Sequence, residues 1–253
     1  MRVAILGLGE AGQRYATDLV AANWQVSGFD PAPIPTPAGV RRADSAAAAA
    51  AGADLVVGLT GATFAVTAAA DAAPALAPGS CYADFNSAAA VDKRAVAEAL
   101  AGTQALVADV AVLAPVPRAG AATPLLVSGP GAAAVAGALR PLGAPVQVLA
   151  EPVGAAAGRK LLRSVFMKGL AAVVIEAVTA GEAAGCVDWV RDQIAAELGP
   201  ALTDRLITGT RAHAGRRVHE VEASRDYLAE LGTPAPITDA TVTWLRRLAG
   251  GNA

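Results

Sequence analysis

Short apolar runs with no helical period alternate with amphipathic or alanine-rich segments over residues 1–153. Residues 2–6 read as a strand buried on both faces, as strands of parallel sheets are, and 55–59 as a further buried strand; strands are also expected at 25–29, 81–85, 106–112, 125–128 and 146–149. Helices are expected at 13–22, 65–76 and 91–100, with an alanine-rich helix between the last two strands. The alanine run at 45–51 is either a short helix or a low-complexity surface turn. In the helix at 91–100, Asp92, Lys93 and Glu98 are expected to share a charged face. Strands alternating with helices predict a doubly wound α/β sheet.

From Gly154 the pattern becomes helical throughout. Segments 157–185, 187–198, 202–212, 216–231 and 238–248 carry helical spacing, broken at Gly199-Pro200, Gly215 and 232–236. The expectation is an α/β domain over 1–153 followed by an all-α domain over 154–253. The second domain is small, and its apolar stretch at 170–178 suggests burial in a partner subunit, hence a homodimer.

The strongest local signal lies at the start of the chain. The first strand runs directly into Gly7-Leu8-Gly9-Glu10-Ala11-Gly12, and a helix follows. In such a turn Gly7 permits the tight bend, Gly9 lets a pyrophosphate approach the backbone, and Gly12 lets helix and strand pack closely. The helix N-terminus adds N–H donors and a positive dipole end. The second strand ends on Asp30, eighteen residues past Gly12, where a carboxylate can accept both hydroxyls of an adenosine ribose. Together these predict a dinucleotide site. A carboxylate repels a 2′-phosphate, so NAD is favoured over NADP, although Arg41 and Arg42 can soften that preference if their loop folds back. Thr60, Asn86 and Ser87 fall at the carboxyl ends of predicted strands, where ligands of open α/β sheets gather.

Composition narrows the picture further. Hydrophobic residues make up 54% of the 253, aromatics only 4%, and the net charge is −2, which gives no general attraction to nucleic acid or an acidic membrane. Cys81 and Cys186 lack metal-ligand spacing and are expected to be buried thiols, with no metal site. Glycine and proline interrupt the uncharged stretch at 119–139, so no membrane span is expected and a cytoplasmic location follows. Trp24, Trp189 and Trp244 are expected to be packing residues, as is a stripe of Tyr227, Leu228 and Leu231.

The glycine turn, the dipeptide Asn86-Ser87, and Gly154 followed six residues later by Lys160 resemble the β-hydroxyacid dehydrogenases. That family includes 3-hydroxyisobutyrate and 6-phosphogluconate dehydrogenases, and the likeness is greatest to a short subgroup with a 6-phosphogluconate dehydrogenase-like C-terminal domain. The resemblance implies a Rossmann domain followed by an all-helical domain. It also implies hydride transfer between NAD(P) and a small, anionic hydroxy or carbonyl substrate. Lys160 would be the acid/base, with Asn86 on the nicotinamide side. A lysine beside a cationic ring and partly desolvated is expected to have its pKa lowered toward neutrality.

Helical spacing places Ser164 and Met167 on the face of Lys160, with Arg163 and Lys168 flanking it. Two departures stand out. Met167 replaces a proton-donating glutamate of 6-phosphogluconate dehydrogenase, which argues against decarboxylation by that route. The Ser-Gly-Gly turn with which the family binds a substrate carboxylate is Val112-Leu113-Ala114-Pro115 here. Arg211, His213, Arg216, Arg217 and His219 form a basic cluster that either grips an anionic substrate or pairs with Glu220 and Glu222 on a solvated helix face. His219 is a further proton-transfer candidate. Two alternatives remain: an imine reductase, a class that generally lacks a lysine at this position, and a dinucleotide-binding sensor without turnover.

Overall fold

The computed structural model describes residues 1–251. It divides into two compact units, the first over 1–160 and the second from Leu161 onward. The first contains an eight-stranded sheet: β1 (Arg2–Leu6), β2 (Gln25–Phe29), β3 (Arg41–Arg42), β4 (Leu55–Gly58), β5 (Cys81–Asp84), β6 (Leu106–Val112), β7 (Leu125–Ser128) and β8 (Val146–Val148). Their spatial order is β3-β2-β1-β4-β5-β6-β7-β8. Every neighbouring pair is parallel except β6 and β7, which run antiparallel. The chain winds outward from β1 in one direction through β2 and in the other through β4. The carboxyl ends of β1 and β4 therefore flank the point where the strand order reverses.

Side chains alternate across the strands and feed two cores. Val3, Ile5, Leu55, Val57, Cys81 and Ala83 face a cluster shared with α1 (Glu10–Ala21) and α6 (Ala132–Leu139). Ala4, Leu6, Val56 and Tyr82 face the other way, against α2 (Ala46–Ala50), α3 (Ala65–Ala72) and α4 (Ala90–Ala99). Alanine supplies most of that second helical layer, so the contacts are made by small side chains. A short α5 (Val116–Ala119) follows β6, and α7 (Ala155–Ala183) begins in the first unit.

The second unit continues α7 and adds α8 (Val187–Leu198), α9 (Pro200–Ala212), α10 (Ala214–Glu230) and α11 (Pro236–Ala249). Its core joins Ala171, Val174, Ile175 and Val178 to Leu206 and Ile207. Among the described residues no helix is long and apolar enough to cross a membrane.

Four local expectations change. The first helix starts at Glu10 rather than residue 13, so Gly12 lies inside its first turn. Helix propensity argues against glycine there, but a Cβ on Gly12 would sit 1.9 Å from the Gly7 carbonyl oxygen. Close packing overrides propensity. Lys93 leaves the predicted charged face and is 1% exposed, in line with Val96 and Leu100. Cys186 is exposed, whereas Cys81 is buried. Trp189 and Leu231 are also exposed, so core packing does not account for them.

Two expected outcomes follow. Gly12→Ala drives a methyl into the Gly7 carbonyl and should lower the unfolding free energy by about 2 kcal/mol in a denaturant titration. Burial pushes the Cys81 thiol up to about 12. In the unfolded chain a thiol ionises near about 8.5, so folding stability is intact below that pH and is lost progressively as pH rises toward the folded value. Unfolding free energy should therefore fall by about 1 kcal/mol by about pH 9.5, before tyrosines ionise in the unfolded chain, and Cys81→Ala should remove that slope.

Candidate active site

The carboxyl ends of four strands bring the candidate residues of the first unit together. β1 ends at the glycine turn. Gly7 has φ +95°, donates its N–H to the Phe29 carbonyl at 2.8 Å, and would place a Cβ 2.4 Å from the Leu59 oxygen, so only glycine fits. Gly9 differs: its φ is −64°, and nothing lies within 4 Å of the position a Cβ would take. The protein's own packing does not require glycine there, whereas a phosphate approaching the start of α1 would. Leu8 is buried, Glu10 is exposed and Ala11 is half-buried at that helix start. A dinucleotide pyrophosphate fits this cradle.

Asp30 stands at the end of β2. One carboxylate oxygen accepts the Leu8 N–H at 2.7 Å and the other accepts the Ala32 N–H at 2.9 Å. A carboxylate has about four acceptor directions, so the group is fixed against the glycine turn with capacity left for ribose hydroxyls. Arg42 does fold back, but its guanidinium holds the Asp30, Ala32 and Ile34 carbonyls and the Thr36 hydroxyl. Arg41 donates to the Ala48 carbonyl at 3.2 Å. Arg42 thus ties down the loop after β2, which carries Pro31, Pro33, Pro35 and Pro37.

β4 is followed by Thr60 and Gly61, and β5 by Asn86 and Ser87. Asn86 is 4% exposed and held at both ends of its amide. Its oxygen accepts the Gly61 N–H at 2.7 Å, and its nitrogen donates to Asp84 Oδ1 at 2.7 Å. Thr60 donates to the Gly61 carbonyl at 3.4 Å. Next to Asn86, the Ser87 hydroxyl accepts a 3.0 Å hydrogen bond from Lys160 Nζ. The loop after β5 and the first turns of α7 therefore meet through a lysine and a hydroxyl.

Sequence reading missed what lies beneath this pair. Asp84, Lys93 and Asp109 are 2%, 1% and 0% exposed. Lys93 Nζ donates to the Asp84 backbone carbonyl at 2.7 Å and lies 3.2 Å from Asp84 Oδ2 and 3.7 Å from Asp109 Oδ1. The signal was an aspartate inside each of two otherwise apolar strands, Cys81–Asp84 and Leu106–Val112, and a lysine in register with Val96 and Leu100. Burial also pushes the Tyr82 hydroxyl well above its usual range, with the Asp84 charge adding to the effect.

The turn after β6 offers little to an anion. Leu113 N–H is already bonded to the Pro124 carbonyl at 3.0 Å, and Pro115 has no N–H.

The remaining candidates belong to the second unit. Arg163 is exposed, the Ser164 hydroxyl is buried with no hydrogen-bond partner, and Met167 packs on the core of that unit. Lys168 pairs with Glu220 at 2.8 Å, Arg216 with Glu220 at 3.6 Å, and His219 with Glu222 at 3.4 Å. Arg211 pairs with Glu182 at 3.0 Å, and Arg217 donates to the Thr210 hydroxyl. Burial alone would raise the Glu220 carboxyl, but Lys168, Arg216 and Arg217 together hold it below the usual carboxylate range. Lys168, Arg211, Arg216, Arg217 and His219 are thus engaged with acidic partners and a threonine.

A family model for the NAD binding domain of 6-phosphogluconate dehydrogenase matches residues 2–148, and one for a domain of unknown function, DUF1932, matches residues 182–248. A conserved hypothetical protein of Sinorhizobium meliloti 1021 has a similar structure, with TM-score 0.82 and 30% identity, covering 97% of this chain and 87% of that one. Mycobacterium tuberculosis 3-hydroxyisobutyrate dehydrogenase, in a structure with L-serine, is similar at TM-score 0.82 and 23% identity over 100% and 94% of the two chains. An imine reductase of Streptomyces aurantiacus is similar at TM-score 0.61 and 20% identity over 100% and 96%. Among curated proteins, an uncharacterized 28.5 kDa protein of Methanothermus fervidus is 29% identical over 86 residues, 33% of this chain and 34% of that protein. The chain belongs to the family defined by the NAD-binding domain of 6-phosphogluconate dehydrogenase, within a dehydrogenase and reductase fold shared with 3-hydroxyacid dehydrogenases and imine reductases.

Proposed function

We propose that the protein is an NAD-dependent oxidoreductase that interconverts a small, anionic hydroxy compound and its carbonyl, with Lys160 as the proton-transfer group. The observation that carries this reading is the 3.0 Å hydrogen bond from Lys160 Nζ to Ser87 Oγ, next to Asn86 beyond the carboxyl end of β5, on the same edge of the sheet as the glycine turn. The Gly7 to Gly12 turn and the start of α1 hold the pyrophosphate, and Asp30 holds the adenosine ribose. Because Asp30 is fixed and Arg42 is committed to backbone carbonyls, the pocket favours a 2′-hydroxyl over a 2′-phosphate. The bound nicotinamide supplies the hydride acceptor or donor.

Within this chain the work is proton handling and orientation. In the oxidative direction Lys160, as the amine, accepts the hydroxyl proton while the carbon–oxygen bond becomes a carbonyl. In the reductive direction the ammonium returns it. Ser87 can both accept and donate, so it steadies Lys160 and can pass the proton onward. Asn86, fixed by Gly61 and Asp84, presents one amide orientation to the nicotinamide side. Ser164 follows Lys160 by one turn of α7, and its unpartnered hydroxyl is suited to a polar substrate group. The turn at 112–115 does not hold the substrate's carboxylate. Of the other substrate-side candidates, Arg163 is exposed on α7, whereas Lys168, Arg216 and His219 would have to leave Glu220 and Glu222 to meet a substrate, and Met167 packs on the core. The protein acts as a homodimer in the cytoplasm.

NADH should bind more tightly than NADPH in a fluorescence titration. Lys160→Ala should keep NADH affinity within about threefold while lowering kcat on hydroxyacids by a factor on the order of 100 or more, the size general acid–base catalysis supplies. Preferential turnover of imines by wild type, retained in Lys160→Ala, would instead support an imine reductase. Dinucleotide binding without turnover of any hydroxyacid, sugar acid or imine would point to a sensor.

A further inference from the structure

Asp84 and Asp109 are directly paired across β5 and β6, and Asp109 is paired with Ser128 across β6 and β7. Residues opposite one another in a sheet point to the same face, and like charges so placed repel. Lys93, from α4, reaches both carboxylates. Replacing such a buried ionic group with apolar residues of similar volume often leaves stability unchanged or improved. The cluster therefore calls for a role besides holding the fold.

Its outward bonds indicate that role. Asp109 Oδ2 accepts the N–H groups of Gly154 at 3.1 Å and Ala157 at 2.9 Å, and the Ser128 hydroxyl at 3.3 Å. Ser128 in turn accepts the Ala156 N–H at 3.1 Å. An N-terminal cap normally comes from the residue just before the helix. Here the first turn of α7 is held by side chains from β6 and β7, and Gly154, at φ +99°, would bring a Cβ to 3.1 Å from the Ala90 carbonyl of α4. Lys160 lies three residues beyond Ala157, a rise of about 4.5 Å along the helix. At the other end of the cluster, Asp84 Oδ1 takes both the backbone N–H and the side-chain amide of Asn86, at 2.9 and 2.7 Å.

We propose that Asp84, Lys93, Asp109 and Ser128 are positioning residues that fix the turn of Asn86 and Ser87 and the start of α7 against one another, and so set the Lys160–Ser87 pair. This inference rests on the role given to Lys160 above. The cluster acts by holding two backbone segments from different parts of the chain to one row of the sheet, the kind of support that keeps catalytic groups within a fraction of an ångström of productive geometry.

Two variants test it. Ser128→Ala removes one link and leaves all three ionisable groups. The triple variant Asp84→Asn, Lys93→Met, Asp109→Asn removes the charges together, so that no carboxylate or ammonium is left unpaired; should it not fold, Ser128→Ala decides. The readouts are melting temperature, NADH affinity, kcat against KM, and the titration of Lys160 followed by NMR of the 13C-methylated protein, with the resonance identified by Lys160→Arg. The expected result is a folded variant with NADH affinity within about threefold, kcat down about tenfold, and the Lys160 titration moved by about 0.5 pH unit or more. Folded variants whose Lys160 titration and kcat match wild type would overturn the proposal, whatever their melting temperatures. The Lys160 titration needs no substrate. Loss of the proposed reaction would show separately, as wild-type turnover that survives Lys160→Ala.

Discussion

Charge placed inside the first unit's sheet has to be matched where it lies, and matching it fixes several elements at once. Asp84 and Asp109 occupy adjacent strands and face the same side, so a cation must reach both. That cation comes from α4, which therefore packs with Lys93 inward. The second oxygen of Asp109 needs donors, and the unpaired N–H groups at the start of α7 provide them. Asp84 is completed by Asn86, and Asn86 by Gly61. Satisfying two buried carboxylates thus brings the loops after β4 and β5 and the start of α7 to one place. Lys160 and Ser87 meet there.

The two sides of this edge are built by different means. On the side of β1 and β2 the work falls to backbone: a glycine bend that tolerates no side chain, the first turn of α1, and an aspartate held by main-chain N–H groups. On the side of β5 and β6 it falls to side chains supported from below. The match to the family's NAD-binding domain, over residues 2–148, takes in both sides. The departure at 112–115 falls in the second, the side to which the proposed proton transfer is assigned.

Much of this was legible in the residues. Apolar runs such as Leu-Val-Val-Gly and the change of period at Gly154 gave the sheet and the helical unit, because burial on both faces and helical spacing leave strong patterns. The glycine turn and Asp30 were readable because their chemistry is local. Lys93 was not, since a lysine on a helix is ordinarily solvated, and only the tertiary position of Asp84 and Asp109 turns it inward. The antiparallel sense of β7 and the two-residue β3 were also hidden: pairing direction leaves no mark on a short apolar run, and Arg41–Arg42 carries no hydrophobic signal. The basic cluster of the second unit left two readings open, an anion site or pairing with Glu220 and Glu222; the structure shows the pairing, and adds Glu182, too distant in sequence to be read as a partner of Arg211.

The most direct measurement is calorimetric titration of NADH into wild type and Gly9→Val, with the melting temperature of each. Gly9 has ordinary backbone angles and open space where a side chain would lie, so the fold does not need glycine there and only a close-approaching pyrophosphate does. The account predicts saturable NADH binding to wild type, an unchanged melting temperature in Gly9→Val, and loss of binding by a factor on the order of 100 in the variant. Equal NADH affinity in the two proteins, or no binding to wild type, would contradict the dinucleotide site from which the rest of the proposed chemistry follows.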